Sequence, residues 1–376
     1  MTLLHITNDF SGSTVYKNLI SHLDSLGVRQ IVYTPVKHQG LVGKNHVQLK
    51  VPGSEIIYDK ILNKHLDRLF YRRKIKKIMT HIENRIDLTE VGQIHAHTWY
   101  SDGGVAYLLS KKHRIPYVVT VRNSDLNVFY RYLIHERTIG RKILENAKKI
   151  TLISAVYKIR LAELLTNNTS SQKLNDKMTV IPNGVDPYWI NNKVTERSLV
   201  LTSEKPVEIL YVGKFDKGKN VFNLIRAIRH LNDEKMNCQL VLVGGGGDDQ
   251  NRVMRCVENY TFVRYLGVQY DRDKLREIFR NADIFAMPSK AETFGLVYIE
   301  ALLQGIPVIY TKGEGIDGFY DNSIGEKVVS TSPKEIANCI RKIISKYGEY
   351  DFNPAEIAQA HDWTAIGKRY LQLYCV

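Results

Sequence analysis

Two lysines five positions apart and two carboxylates eight positions apart carry the chemistry this sequence encodes most clearly. The lysines are Lys214 and Lys219, in the run Val212-Gly213-Lys214-Phe215-Asp216-Lys217-Gly218-Lys219-Asn220. That run closes an apolar stretch, Val207 to Val212, with a glycine turn. Its cations therefore stand at a strand end, where backbone amides and ammonium groups can hold a diphosphate. The carboxylates are Glu292 and Glu300, the first followed directly by Thr293-Phe294-Gly295-Leu296. On one helix they would lie about 80° apart around the axis and about 12 Å apart along it. That is the reach from a hexose, across two phosphates, to a ribose, so the two pairs describe a pocket for a nucleotide diphosphate sugar.

The helix that would position the carboxylates has Thr293 as its expected cap and Gly305 and Pro307 as its stop. Free amides at Phe294, Gly295 and Leu296 would point at the diphosphate. Glu292 would accept from sugar hydroxyls and Glu300 from ribose hydroxyls. The alternatives are dipole compensation at a helix start for Glu292 and a solvated face for Glu300. Gly213-x4-Gly218-Lys219 also approaches a phosphate-binding loop of nucleotide hydrolases, but Asn220 replaces the hydroxyl that would hold magnesium. Asp271-Arg272-Asp273 mimics a metal-binding Asp-x-Asp and reads better as the cap of a helix from Lys274. His95 and His97 alternate on one strand face with no third ligand apparent, so no metal is expected. His97, with Asp102 in the loop after it, reads instead as lining a cleft.

Strands alternate with helical stretches along the whole chain. In the first half they run from Leu3 to Thr7, Gln30 to Pro35, Gln93 to His97, Tyr117 to Arg122, Lys149 to Ile153 and Met178 to Ile181. The second half restarts with Val207 to Gly213, Gln239 to Val243, Phe262 to Leu266, Asp283 to Pro288, Pro307 to Thr311 and Glu326 to Val329. Between them lie the turn-rich Pro182-Asn183-Gly184-Val185-Asp186-Pro187 and an aperiodic polar stretch, Asn191 to Lys205. The expected fold is α/β, two doubly wound Rossmann-like parallel-sheet domains facing a cleft. The boundaries are residues 1–187 and 188–361, with a terminal helix over 362–376 crossing back through Trp363, Ile366, Tyr370 and Leu373.

At 376 residues, with 44% hydrophobic and 24% charged positions, the chain is globular and too long for one ordinary core. No apolar run approaches the roughly 20 residues that span a bilayer, and the N-terminus opens as a strand, so a cytoplasmic protein is expected. Cys238, Cys256, Cys339 and Cys375 show no metal-type spacing and read as reduced thiols. The formal charge is +14. It concentrates between Asp59 and Ile82, where eight Lys or Arg stand against two Asp. Placed on a helix, Leu62, Leu66, Leu69 and Phe70 fall on one side and Ile75, Ile78, Met79 and Ile82 nearly opposite. The segment thus reads as a bent or two-faced element with one face on the core and one on a membrane or partner, or as a core helix with a solvated basic face. No nucleic-acid-binding module accompanies the charge.

The lysine loop, Pro182-Asn183-Gly184-Val185-Asp186, the turn at Gly244, Glu292-x7-Glu300 and Asp362-Trp363 together resemble glycosyltransferase family 4, retaining enzymes of the GT-B architecture. The resemblance covers nearly the whole chain and is broadly to bacterial enzymes that build capsule, exopolysaccharide or O-antigen. It implies transfer of a sugar from a nucleotide diphosphate sugar, UDP-sugar favoured over GDP-sugar, with no metal and no cofactor beyond that co-substrate. Lys214, Lys219, Glu292 and Arg122 would be catalytic. The donor would be bound by Gly12, Gly213, Lys214, Lys219, Thr293, Phe294, Gly295, Leu296 and Glu300. Where relatives carry a His after Thr120-Val121, this chain has Arg122-Asn123-Ser124-Asp125, so Arg122 would replace that contact or bind an acceptor phosphate. Where relatives carry several glycines after the first strand, this chain offers Ser11-Gly12-Ser13-Thr14. His97, Asn123 and Asp125 are the acceptor-side candidates. The implied acceptor is a polyprenyl diphosphate-linked glycan, and the basic first domain would meet an anionic membrane surface from the cytoplasmic side. An epimerase of the same architecture and a noncatalytic nucleotide-sugar sensor are the competing functions.

Overall fold

The structure is a computed structural model that describes residues 2–63, 67, 70–165, 171–195, 200–202 and 204–375, side chains of Ser171 and Cys375 aside. Two compact units divide the chain. The first comprises Met1–Ile153, Tyr157–Gly184 and Trp363–Val376, the second Ser154–Val156 and Val185–Asp362.

Seven strands form the sheet of the first unit: β1 (Thr2–Ile6), β2 (Gln30–Val36), β3 (Glu55–Lys60), β4 (Val91–Ala96), β5 (Tyr117–Val121), β6 (Lys149–Leu152) and β7 (Met178–Val180). Their order is β3-β2-β1-β4-β5-β6-β7, every neighbouring pair parallel. The second unit repeats the plan with β8 (Val207–Gly213), β9 (Cys238–Gly244), β10 (Val263–Tyr265), β11 (Ile284–Ala286), β12 (Val308–Thr311) and β13 (Gly325–Val328), ordered β10-β9-β8-β11-β12-β13 and also parallel. Central strands such as β1 and β5 are buried along their length because crossover helices cover both faces of a parallel sheet. In each sheet the strand order reverses once, between β1 and β4 and between β8 and β11. Loops at the carboxyl ends of those strands diverge there and leave a crevice for ligands.

Two expectations need correction. The strand β3 was not expected, because its sequence, Glu-Ile-Ile-Tyr-Asp-Lys, sits at a half-exposed edge where charge guards against stray pairing. Asp59 and Lys60 therefore end a strand rather than begin a helix. The helix Tyr71–Arg85 buries Tyr71, Ile75, Ile78 and Ile82, one stripe at i, i+4, i+7 and i+11. The segment is thus a strand end followed by a core helix with an exposed basic face, not one helical element, and Asp59 ties that helix to β3 through His81 and Arg85. Leu66 and Leu69 lie outside the described residues.

The terminal helix Trp363–Cys375 belongs to the first unit. Trp363, Ile366, Tyr370 and Leu373 are buried, packed with Leu3, Leu19, Leu23, Val118 and Ile181. Gly184 permits the approach, since a Cβ there would stand 2.5 Å from the Trp363 ring. Cys238, Cys256 and Cys339 are free and buried.

Candidate functional site

In the second unit, the two loops at the switch point are joined by the residues the sequence singled out. Strand β8 ends at Gly213, and the loop after it runs to the helix Val221–Asp233. Tyr211 Oη donates to the Lys214 carbonyl at 2.6 Å, which fixes the loop's first turn. The Phe215 amide donates to Gly246, and the Asp249 amide to Phe215, so the loop lies along the glycine turn that follows β9. A Cβ on Gly244 would stand 1.9 Å from the Gly213 carbonyl oxygen, and only glycine fits that approach. Asn220 takes a left-handed conformation at the helix start, and its side-chain amide donates to the Thr331 carbonyl. That side chain is engaged in packing the loop.

Lys219 Nζ meets Glu292 Oε2 at 2.5 Å. This pair bridges the loop after β8 and the loop after β11, and the Lys290 amide donates to Gly218 beside it. Glu292 is held from three further sides. Its Oε1 accepts from the Thr293 amide, its own amide donates to Glu314 Oε2 at 2.9 Å, and its carbonyl accepts from Gly315. Lys214 stays exposed.

The helix after this loop departs from expectation. It spans Leu296–Leu303, and its cap is Gly295 at φ 78°, not Thr293. Glu292 therefore precedes the helix by a full loop turn, and the axial spacing computed for one helix does not describe the pair. The reason is Tyr298, whose ring would meet a Cβ on Gly295 at 2.5 Å; the glycine turns the chain sharply around that ring. Amides of the first turn lack intrahelical carbonyls. Phe294 is buried against Phe319 and His361. Glu300 is half-buried. Its carboxyl is pushed up to about 7 by burial and by Asp186, with Arg272 opposing. Arg272 itself pairs with Asp186 at 2.7 Å. Asp271 caps the helix Arg272–Asn281 through the amides of Asp273 and Lys274.

In the first unit the corresponding switch point holds a cavity of about 640 Å³. Asn8 and Asp9 come from the turn after β1, Thr98 from the turn after β4, Ser101 from the first position of the helix that follows, and Arg122 from just past the end of β5. Arg122 Nε donates to the His97 carbonyl, and its guanidinium lies 4.6 Å from the Tyr16 ring centre. Lys74 Nζ donates to Ser101 Oγ at 2.9 Å. Burial holds its ammonium below the usual lysine value, with Asp102 opposing. Asp102 in turn is pushed up to about 7 by burial, against the pull of Lys74. Gly12 lies in the short turn before the helix Thr14–Ser25, its amide donating to the Asp9 carbonyl.

The three acceptor-side candidates of this unit are each engaged within the fold. Asp125 is fully buried, and its carboxylate accepts from the amides of Trp99, Tyr100 and Arg122, which makes it the brace of two turns. Asn123 is engaged with Asn127. His97 is enclosed rather than cleft-lining: its Nε2 lies 2.9 Å from His5 Nδ1. Asp102 sits on the helix Ser101–His113, not in a loop, and is buried. His5 also supplies the third imidazole that the sequence did not reveal, since β1 pairs with β4 in a register that sets His5 opposite His95. The three rings have ligand atoms within 4.8 Å of one another. Both nitrogens of His95 are taken, by Thr120 Oγ1 and Tyr374 Oη, so the cluster is interlocked as it stands. Burial pushes His5 down to about 3 and holds the other two well below the usual histidine value.

Residues 12–189 match the family model described as Glycosyltransferase Family 4, and residues 193–361 match Glycosyl transferases group 1. An alpha-monoglucosyldiacylglycerol synthase from Acholeplasma laidlawii is 24% identical over 330 residues, 81% of this chain and 77% of that protein. Among solved structures, a sucrose-phosphate synthase from Thermosynechococcus elongatus superposes with a TM-score of 0.73 at 21% identity, over 100% of this chain and 98% of that one. HepE from Anabaena, solved with UDP and glucose, superposes at 0.66 and 19% identity, over 99% and 98%.

Proposed function

We propose, from the premise that this chain belongs to the glycosyltransferases of the GT-B type, that it moves a sugar from a UDP-sugar to a lipid-linked, growing surface polysaccharide. The observation that carries this reading is the Lys219–Glu292 pair across the β8/β11 switch point. With no donor bound, cation and carboxylate neutralise each other. A nucleotide diphosphate sugar separates their duties: Lys219 and Lys214 take the diphosphate, and Glu292 takes the sugar hydroxyls.

As the bond between the anomeric carbon and the diphosphate oxygen breaks, its electron pair goes to the diphosphate. Lys214, Lys219 and the amides of Gly295 and Leu296 stabilise that charge as it grows. The departing oxygen takes the proton of the acceptor hydroxyl, whose oxygen forms the new bond on the same face, so configuration is retained. Two cations and a helix start supply the electrostatics that a metal would otherwise give, and no metal is required. Glu300 accepts from the ribose hydroxyls. In the first unit Arg122 offers its guanidinium to an acceptor phosphate.

The structure of HepE with UDP and glucose supports the choice of nucleotide, and the name of the Acholeplasma relative supports a lipid acceptor. Among the described residues no helix is long and apolar enough to cross a membrane, so access to such an acceptor is proposed to be peripheral, from the cytoplasmic face. The test is release of free nucleotide diphosphate from a panel of UDP- and GDP-sugars with chelator present. One donor is expected to turn over, and Lys219→Ala and Glu300→Ala are each expected to lose at least about tenfold in kcat/KM, roughly the worth of one charge-assisted contact. Normal turnover by Glu300→Ala would sink the site assignment. Tight nucleotide binding without turnover would favour a sensor.

A further inference from the structure

The helices that follow β8 and β9, Val221–Asp233 and Gln250–Asn259, share a cavity of about 280 Å³ in the second unit. Phe222 lines it from the first helix, Arg252, Arg255, Cys256 and Asn259 from the second, and Tyr260 from just past that helix's end. The four residues of the second helix fall on one stripe, at i, i+3, i+4 and i+7. On the first helix Arg226 and Arg229 continue the stripe of Phe222 at i+4 and i+7. Their guanidiniums lie 6.0 Å from the Phe222 ring centre and 5.8 Å from that of Tyr260, respectively. None of the proposed donor-site residues lines this cavity.

All four arginines are exposed, yet Arg252 is held in place. Its guanidinium stacks over the Phe222 ring, 3.3 Å from the centre. A guanidinium held over a ring keeps its N–H edge for an oxyanion, in the fork geometry that suits phosphate. Among the described residues Arg226, Arg252 and Arg255 have no carboxylate partner; Arg255 engages its Nε, with the Asn251 carbonyl at 3.4 Å. Arg229 has Asp233 at 3.7 Å, both side chains being more than half exposed, and such a pair is worth little in water. The lining itself holds no carboxylate, and Glu258, the acidic residue of the second helix, falls about 110° off the stripe. Arg226 and Arg252 therefore share one ring with no counter-charge paired to either, and like charges so placed repel. A bound anion relieves that repulsion. One phosphate is satisfied by one or two guanidiniums, whereas four are gathered here.

We infer that this cavity binds an oligophosphate ligand, at a site separate from the donor pocket. Both helices begin beside the lysine loop, whose Phe215 carbonyl accepts from the Asp249 amide at the start of the second. The loop's own cations are thus the competing seat for such an anion.

Calorimetry on the double variant Lys214→Ala and Lys219→Ala, in which the loop has lost both lysines, removes that competitor. With chelator present, tripolyphosphate should bind it at one site per chain, about tenfold or more tightly than inorganic phosphate does. Adding Arg252→Glu to that background should weaken tripolyphosphate binding by about tenfold or more. Adding Arg252→Lys instead keeps the charge at an exposed position but loses the stacked fork, and it should weaken binding several-fold at an unchanged melting temperature. Loss of tripolyphosphate binding in the double variant would put the ligand on the lysine loop and overturn the site. Undiminished affinity with Arg252→Lys would leave only diffuse attraction to a basic surface and overturn it too. Inorganic phosphate binding as tightly as tripolyphosphate would overturn the oligophosphate class. No donor or turnover enters these measurements, so failure of the transferase reading would leave the site standing, and failure of the site would leave that reading untouched.

Discussion

Glu300 has a carboxyl that titrates near 7, raised chiefly by burial, and its protonation state therefore changes within the working range of an enzyme. In the proposed donor site it would accept, as a carboxylate, from ribose hydroxyls; once protonated it would give up part of that capacity. Donor KM is expected to rise several-fold, on the order of one pKa unit's worth of binding, as pH falls from about 8 to about 6. Glu300→Gln should show a weak, pH-flat KM, which steady-state kinetics across that range would check. The linkage to stability runs the other way. A carboxyl whose folded value lies above its ordinary 4.5 favours the fold at low pH, and that advantage is lost as pH rises through the window between 4.5 and about 7. Glu300→Gln should therefore melt no lower than wild type at alkaline pH, binding having been traded against stability at this position. Its apolar neighbours, Ile299 and Ala301-Leu302-Leu303, already hinted at burial in the sequence; the field of Asp186, more than a hundred positions away, did not.

At the scale of elements, the proposed donor site rests on the close approach of two strand ends. Gly244 at φ 125° leaves no room for a Cβ beside the Gly213 carbonyl. Gly244→Ala is expected to cost more than about 1 kcal/mol of stability, the strain of an L-residue at that angle. It should also weaken donor binding, since the lysine loop starts at the displaced carbonyl; urea melts and donor titration read the two effects separately. This loop was legible because its signals are local: an apolar run, then glycines, then lysines. The helix of Glu300 was legible in type but not at its start, because the cap is chosen by the Tyr298 ring against Gly295 and not by the hydroxyl of Thr293. Strand β3 was illegible for a different reason. An edge strand needs little apolar pattern, and its Asp59 and Lys60 looked like the opening of the basic helix.

For the molecule as a whole, the least legible feature was the histidine cluster in the first unit's core. It joins His5 to His97 across 92 positions and His95 to Tyr374 across 279, pairings that exist only once the sheet and terminal helix are assembled. The cluster makes this unit sensitive to acid. His5, held down to about 3 in the fold, gains a proton on unfolding at any pH below about 6.5. Its contribution is thus present above 6.5 and is lost progressively as pH falls toward 3. Asp102 and Asp125, raised to about 7 and about 6, act with opposite sign, their penalty easing as pH falls. They are common to wild type and variant. His5→Gln should accordingly make the loss of stability between pH 6 and pH 4 shallower by about 1.4 kcal/mol per pH unit. Urea unfolding of the full chain at several pH values would show it, and an unchanged slope would mean the imidazole escapes its burial.

The return of the last helix to the first unit also sets an order of events during synthesis. Leu3, Leu19, Leu23, Val118 and Ile181 have emerged long before Trp363, Ile366, Tyr370 and Leu373, their partners in one apolar cluster. At typical elongation rates the interval from Gly184 to Trp363 lasts on the order of ten seconds or more. Throughout it the nascent first unit presents an open apolar seam, and the second unit, whose main segment Val185–Asp362 is made in that interval, can be complete before the first is sealed. Leu3, Leu19 and Leu23 are thus among the last residues of the first unit's core to be covered.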